Sequence, residues 1–105
     1  MTFDEYQEFA KTTAIYSDNA KVVYPTLGLS GEAGEVAEKV KKNIRKSKFG
    51  SFEFYGNELD DIAIELGDVL WYVSALASDI GYSLEDIAQI NMEKLKSRQE
   101  RNKIE

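Results

Sequence analysis

Gly31-Glu32-Ala33-Gly34-Glu35-Val36 and Glu65-Leu66-Gly67-Asp68-Val69 are two versions of one local pattern, a pair of carboxylates three residues apart followed by an apolar residue. A helix turns by about 100° per residue, so positions i and i+3 lie one above the other and each pair can offer its oxygens to a single spot. The neighbouring apolar residues share that period. Measured from Glu32, the residues Leu29, Ala33, Val36, Val40 and Ile44 occupy an arc from about 40° to 120°, with Glu35 across its boundary. Measured from Glu65, the residues Ile62, Leu66, Val69, Val73 and Leu76 occupy an arc from about 20° to 100°, with Asp68 across its boundary. If both arcs face one core, Glu32, Glu35, Glu65 and Asp68 flank the same seam.

Such a cluster repels itself. Two unit charges about 4 Å apart cost roughly 4 kcal/mol at an effective dielectric near 20, and four carboxylates contain several such pairs. Relief comes by protonation or by a bound cation. The ligands are hard oxygens, and the chain has neither His nor Cys to recruit a softer metal, so Mg2+ is the expected occupant and Mn2+ its natural substitute.

Composition narrows the rest. A chain of 105 residues makes one domain, 1–105, with a modest core. Its net charge of −6, with basic residues scattered, argues against nucleic acid as a partner. Without Cys there is no thiol nucleophile, and without His the commonest general base is missing, so chemistry falls to carboxylates, bound water, Lys, Arg or Tyr. The opening Met1-Thr2-Phe3-Asp4-Glu5 has no signal-peptide character, and the uncharged run 69–78 is half of the roughly 20 residues a membrane span needs. A cytoplasmic location and no membrane partner are therefore expected.

Four helices account for the chain. Thr2 caps the first, whose apolar stripe of Phe3, Tyr6, Ala10, Ala14 and Ile15 runs to about Tyr16, and Gln7 reads as an ordinary residue at the stripe's edge. Pro25 opens the second at a first helical position, and it runs to about Arg45. Gly28, Gly31 and Gly34 inside it suggest a close approach along one edge or simple helix packing. The segment 47–57, with four aromatics and no helical period, reads as a loop packed on a second subunit. The third helix, about 58–80, carries Ile64, Trp71 and Ala75 outside its main arc, and burial on two sides implies a partner chain. Gly81 ends it, and Ser83 with Asp86 forms a capping box for the fourth helix, about 84–102, with Leu84, Ile87, Ala88, Met92 and Leu95 turned inward. The expected fold is an all-α four-helix bundle completed by oligomerisation, as a homodimer or homotetramer.

Asn91, Lys94 and Arg98 line one face of that last helix. Lys94 and Arg98 suit phosphate oxygens, although a basic helix end is also favoured by the helix dipole. Tyr72 and Asn91 can stack on or hydrogen-bond a base or sugar, or stand as residues at the core's edge.

The motifs Gly28-Leu29-Ser30-Gly31-Glu32-Ala33-Gly34-Glu35 and Glu65-Leu66-Gly67-Asp68-Val69-Leu70-Trp71-Tyr72, with the tail Asn91-x-x-Lys94-Leu95-x-x-Arg98, resemble the MazG family of nucleoside triphosphate pyrophosphohydrolases. The likeness spans about residues 3–100. It departs in that 29 residues separate Glu35 from Glu65, at or beyond the usual length. The resemblance implies hydrolysis of a nucleoside triphosphate to the monophosphate and pyrophosphate in nucleotide-pool control or housecleaning. It further implies Mg2+ at Glu32, Glu35, Glu65 and Asp68, phosphates at Lys94 and Arg98, and base or sugar near Tyr72 and Asn91. Glu35 is the expected acceptor of the water's proton. Two other readings stay open, a phosphoribosyl-ATP pyrophosphohydrolase and a non-catalytic helical interaction module. A di-iron carboxylate bundle is disfavoured, because its Glu-x-x-His motifs cannot be made without His.

Overall fold

A computed structural model describes residues 1–46 and 53–101. Among these the regular structure is helical: α1 (Phe3–Thr13), a 3-10 turn (Asp18–Ala20), α2 (Val23–Lys46), α3 (Gly56–Asp79) and α4 (Leu84–Glu100). Most of the expected loop 47–57 lies outside the described residues.

Local chemistry sets the helix ends. Thr2 and Glu5 form a reciprocal capping box at the start of α1, and Ser83 and Asp86 form another at the start of α4. Helix α1 stops three residues short of Tyr16. Thr12 and Thr13 turn their hydroxyls back onto the Phe9 and Ala10 carbonyls, and Tyr16 leaves the helix to donate its own hydroxyl to Asp79 at 2.8 Å. Helix α2 begins two residues before Pro25, which sits buried in the first turn, where backbone N–H groups have no helical acceptor to lose.

Helices α2 and α3 make the main packing unit. Val22 meets Asp79, Gly28 meets Tyr72, and Glu32 meets Asp68 and Glu65, so the two run antiparallel over about 36 Å each. Helix α1 lies against the C-terminal half of α3. Trp71 Nε1 donates to Thr13 Oγ1 at 2.7 Å, and Gln7 fastens the other end. Its Nε2 donates to Ser78 Oγ and to the Tyr82 carbonyl, while its Oε1 accepts from the Leu84 N–H. Gln7 is thus no ordinary edge residue: it is buried and joins α1, α3 and α4 at once.

The core is small. Ala10, Ala75, Ala77 and Leu84, together with Pro25, are its buried apolar residues among those described. Leu84 seats the start of α4 and Ile87 is half-buried, but Ala88 to Ser97 are all exposed. The inward placement expected for Ala88, Met92 and Leu95 is therefore not met among the described residues, where α4 is buried against the rest of the fold at its first turn through Leu84. The radius of gyration is 16.9 Å, against about 13 Å for a compact chain of this length. The accessible surface is 7855 Å², against roughly 5,900 Å² expected from the mass. No described helix is long and apolar enough to cross a membrane.

Candidate functional site

The two acid pairs lie midway along α2 and α3, where the antiparallel arrangement sets them side by side. One carboxylate oxygen each from Glu32, Glu65 and Asp68 lies within 4.8 Å of the others. Glu35 stands outside that group of three, exposed on the next turn of α2, yet its charge reaches Glu32. Desolvation pushes the Glu32 carboxyl above its usual range, and repulsion from Asp68, Glu65 and Glu35 raises it further. Three hard oxygens on two rigid helices, with one acid reluctant to ionise, match what a small divalent cation takes as ligands.

Tyrosines surround this group. Tyr72, one turn beyond Asp68, lies over Gly28 so closely that a Cβ there would sit 2.0 Å from its ring. This is the close approach that the glycine edge suggested, and it is confined to Gly28, since a Cβ at Gly31 or Gly34 would meet nothing within 4 Å. Burial raises the Tyr72 phenol above its ordinary value, followed by the Tyr24 hydroxyl beside it and the charges of Glu32 and Asp68. Tyr6 is raised by burial and then by Asp68. Tyr24 tilts against Tyr72 with centroids 6.3 Å apart and stacks on Tyr16 at 4.8 Å. Tyr16, Tyr24 and Asp79 carry no sequence motif that singles them out. Their one legible signal is a helical stripe of Asp68, Tyr72, Ala75 and Asp79 at offsets 0, 4, 7 and 11, which aligns Asp79 with the acid pair.

Beyond Asp79 a cleft of about 320 Å³ lies between α1 and α3, bordered by Lys11, Tyr16, Lys21, Ser74 and Asp79. Ser74 is 1% exposed, and its hydroxyl has no hydrogen-bond partner among the described residues. The α4 residues are placed differently. Asn91 and Lys94 are exposed and Arg98 is half-buried near the helix end. Among the described residues, no ion pair joins Lys94 or Arg98 to Glu32, Glu65 or Asp68.

Comparison with known proteins places the chain in a family. The Gene 37 protein of Mycobacterium phage L5 is 43% identical over 111 residues, covering 100% of this chain and 95% of the phage protein. No solved structure matches the chain. Residues 25–102, which hold both acid pairs, Tyr72 and all of α4, match the family model of the MazG nucleotide pyrophosphohydrolase domain, and the chain belongs to that family.

Proposed function

We propose that this chain is a Mg2+-dependent nucleotide pyrophosphohydrolase that cleaves (deoxy)nucleoside triphosphates between the α- and β-phosphorus, giving a monophosphate and pyrophosphate. The observation that carries the reading is the meeting of Glu32, Glu65 and Asp68 oxygens within 4.8 Å. Divalent metal held there would supply Lewis acidity to phosphate oxygens and acidify a bound water. Mn2+ fits the same oxygens.

The chain's own residues have distinct tasks. Glu35, outside the trio but within electrostatic reach of Glu32, accepts the proton of the attacking water. That water's oxygen bonds to the α-phosphorus as the bond to the bridging oxygen breaks, and the electron pair leaves with pyrophosphate. Lys94 and Arg98 neutralise phosphate oxygens, and Tyr72 and Asn91 contact the base or sugar. The roughly 1,900 Å² of surface in excess of a compact chain matches the area a protomer buries in an obligate assembly. We therefore read the protein as a homodimer or homotetramer whose second copy covers Ile90, Met92 and Leu95, and equilibrium sedimentation tests this. A monomer at micromolar concentration would contradict it.

The test of activity is pyrophosphate release from a panel of common and modified nucleoside triphosphates with Mg2+. Glu65→Gln and Asp68→Asn are expected to lower kcat by at least about a thousandfold while the helical circular dichroism is kept. Full activity in either variant would remove the assigned roles.

A further inference from the structure

Asp79 lies 11 residues beyond Asp68, about 16 Å along α3, and is remote from the acid group. A single oxygen, Oδ2, accepts from the Tyr16 hydroxyl and from the Val22 backbone N–H, both at 2.8 Å. Val22 has φ of +69°, in the left-handed region that a β-branched residue rarely adopts. Its carbonyl is held as well, accepting from the Thr26 hydroxyl at 2.6 Å and the Thr26 N–H at 3.1 Å. A strained residue persists when its surroundings over-determine it, and such residues gather where a precise backbone direction is needed.

The direction in question is that of Tyr24, two residues on. Tyr16 and Tyr24 stack at 4.8 Å with planes 22° apart, and Tyr24 leans on Tyr72, which packs edge-on against Trp71 at 4.9 Å. A row of rings thus runs from Asp79 toward the acid group, and one carboxylate oxygen holds both its far ring, Tyr16, and the Val22 backbone that leads into Tyr24. Tyr24 remains 47% exposed, so the row presents ring surface to solvent. Flat aromatic surface held rigidly beside a polyphosphate site suits a nucleobase, because stacking requires a wall that does not swing.

We infer that Asp79 is a positioning residue for nucleotide discrimination: by gripping Tyr16 and the strained Val22 together, it fixes the Tyr16–Tyr24–Tyr72 row as the wall against which the base is read. This rests on the proposed activity and assigns that site's base selection to a residue outside it. The Tyr16 phenol, pushed up to about 12 by burial and by its bond to the Asp79 carboxylate, stays a donor across the working pH range.

The test compares Asp79→Ala, Asp79→Asn and Tyr16→Phe with the unaltered protein, measuring pyrophosphate release from several triphosphates with Mg2+. Asp79→Ala and Tyr16→Phe are expected to raise KM about tenfold and to flatten the preference among bases, with kcat within about twofold, since they remove a charged hydrogen bond and no reacting group. Asp79→Asn keeps a carbonyl acceptor and is expected to recover most of the loss. Near-ultraviolet circular dichroism of the tyrosines should weaken in Asp79→Ala and return in Asp79→Asn while the far-ultraviolet spectrum stays constant. Tyr16→Phe keeps the ring and loses one oxygen, so it carries the test alone if Asp79→Ala does not fold. An active parent protein with unchanged KM and base preference in folded Asp79→Ala or Tyr16→Phe overturns the assignment to Asp79. An unaltered protein inactive on every triphosphate instead overturns the activity on which the assignment rests.

Discussion

Gly28→Ala adds one methyl group, and the structure states where it goes. The new carbon would lie 2.0, 2.4 and 2.5 Å from three ring carbons of Tyr72, distances at which something must move by about 1 Å or more to reach ordinary contact. Two escapes exist. Tyr72 can swing away, surrendering its tilted contact with Tyr24 and its edge contact with Trp71, which together are worth about 2 kcal/mol. Otherwise α2 and α3 part locally, and overpacking of this kind costs about the same. Alanine's better helix propensity offsets about 1 kcal/mol. The net destabilisation is about 1 kcal/mol, a fall in Tm of about 4–8 °C for a domain of this size. Gly34→Ala meets nothing within 4 Å, so it gains the propensity alone and its Tm should rise. In a Tyr72→Ala background, Gly28→Ala should also become neutral or stabilising, a coupling that a double-mutant cycle reads directly. Thermal melts followed at 222 nm decide the matter. A Gly28→Ala protein that melts at or above the unaltered temperature, or whose cycle shows no coupling to Tyr72, would refute the reasoning.

The acid group makes stability depend on pH in a stated direction. The folded state raises Glu32 above its ordinary 4.5, so it binds that proton more tightly than the unfolded chain does. The stabilisation from Glu32 is therefore complete below the unfolded value and disappears as pH rises through the folded one. The Tm difference between metal-free protein and Glu32→Gln should change across that window, with the variant gaining ground as pH rises. Mg2+ should stabilise the unaltered protein increasingly over the same interval, and a difference independent of pH would count against a shared, mutually repelling site. Gln7→Leu breaks three hydrogen bonds and leaves the buried Leu84 N–H without its acceptor, so it should lower stability by about 3 kcal/mol in denaturant melts. A loss below about 1 kcal/mol would mean that Gln7 does not join the helices as described.

The sequence by itself determined the helices and most of their ends. The caps at Thr2 and Ser83 act within three residues of themselves, and the apolar period of α2 and α3 needs no knowledge of the rest of the chain. The pairing of the acids was legible for the same reason, because helical geometry alone puts Glu65 and Asp68 on one face. Tertiary structure decided which carboxylates meet, joining Glu32 to Glu65 and Asp68 and leaving Glu35 a turn away. It also decided that α1 stops at Thr13, that Gln7 reaches partners 71 to 77 residues distant, and that Asp79 holds Tyr16 and Val22. It left Met92 and Leu95 uncovered, where their spacing had turned them inward. Side-chain period records which residues share a face, whereas what lies opposite depends on the distance and angle between helices. Those are set by packing across the whole chain, down to the single missing methyl at Gly28 that lets Tyr72 close against α2.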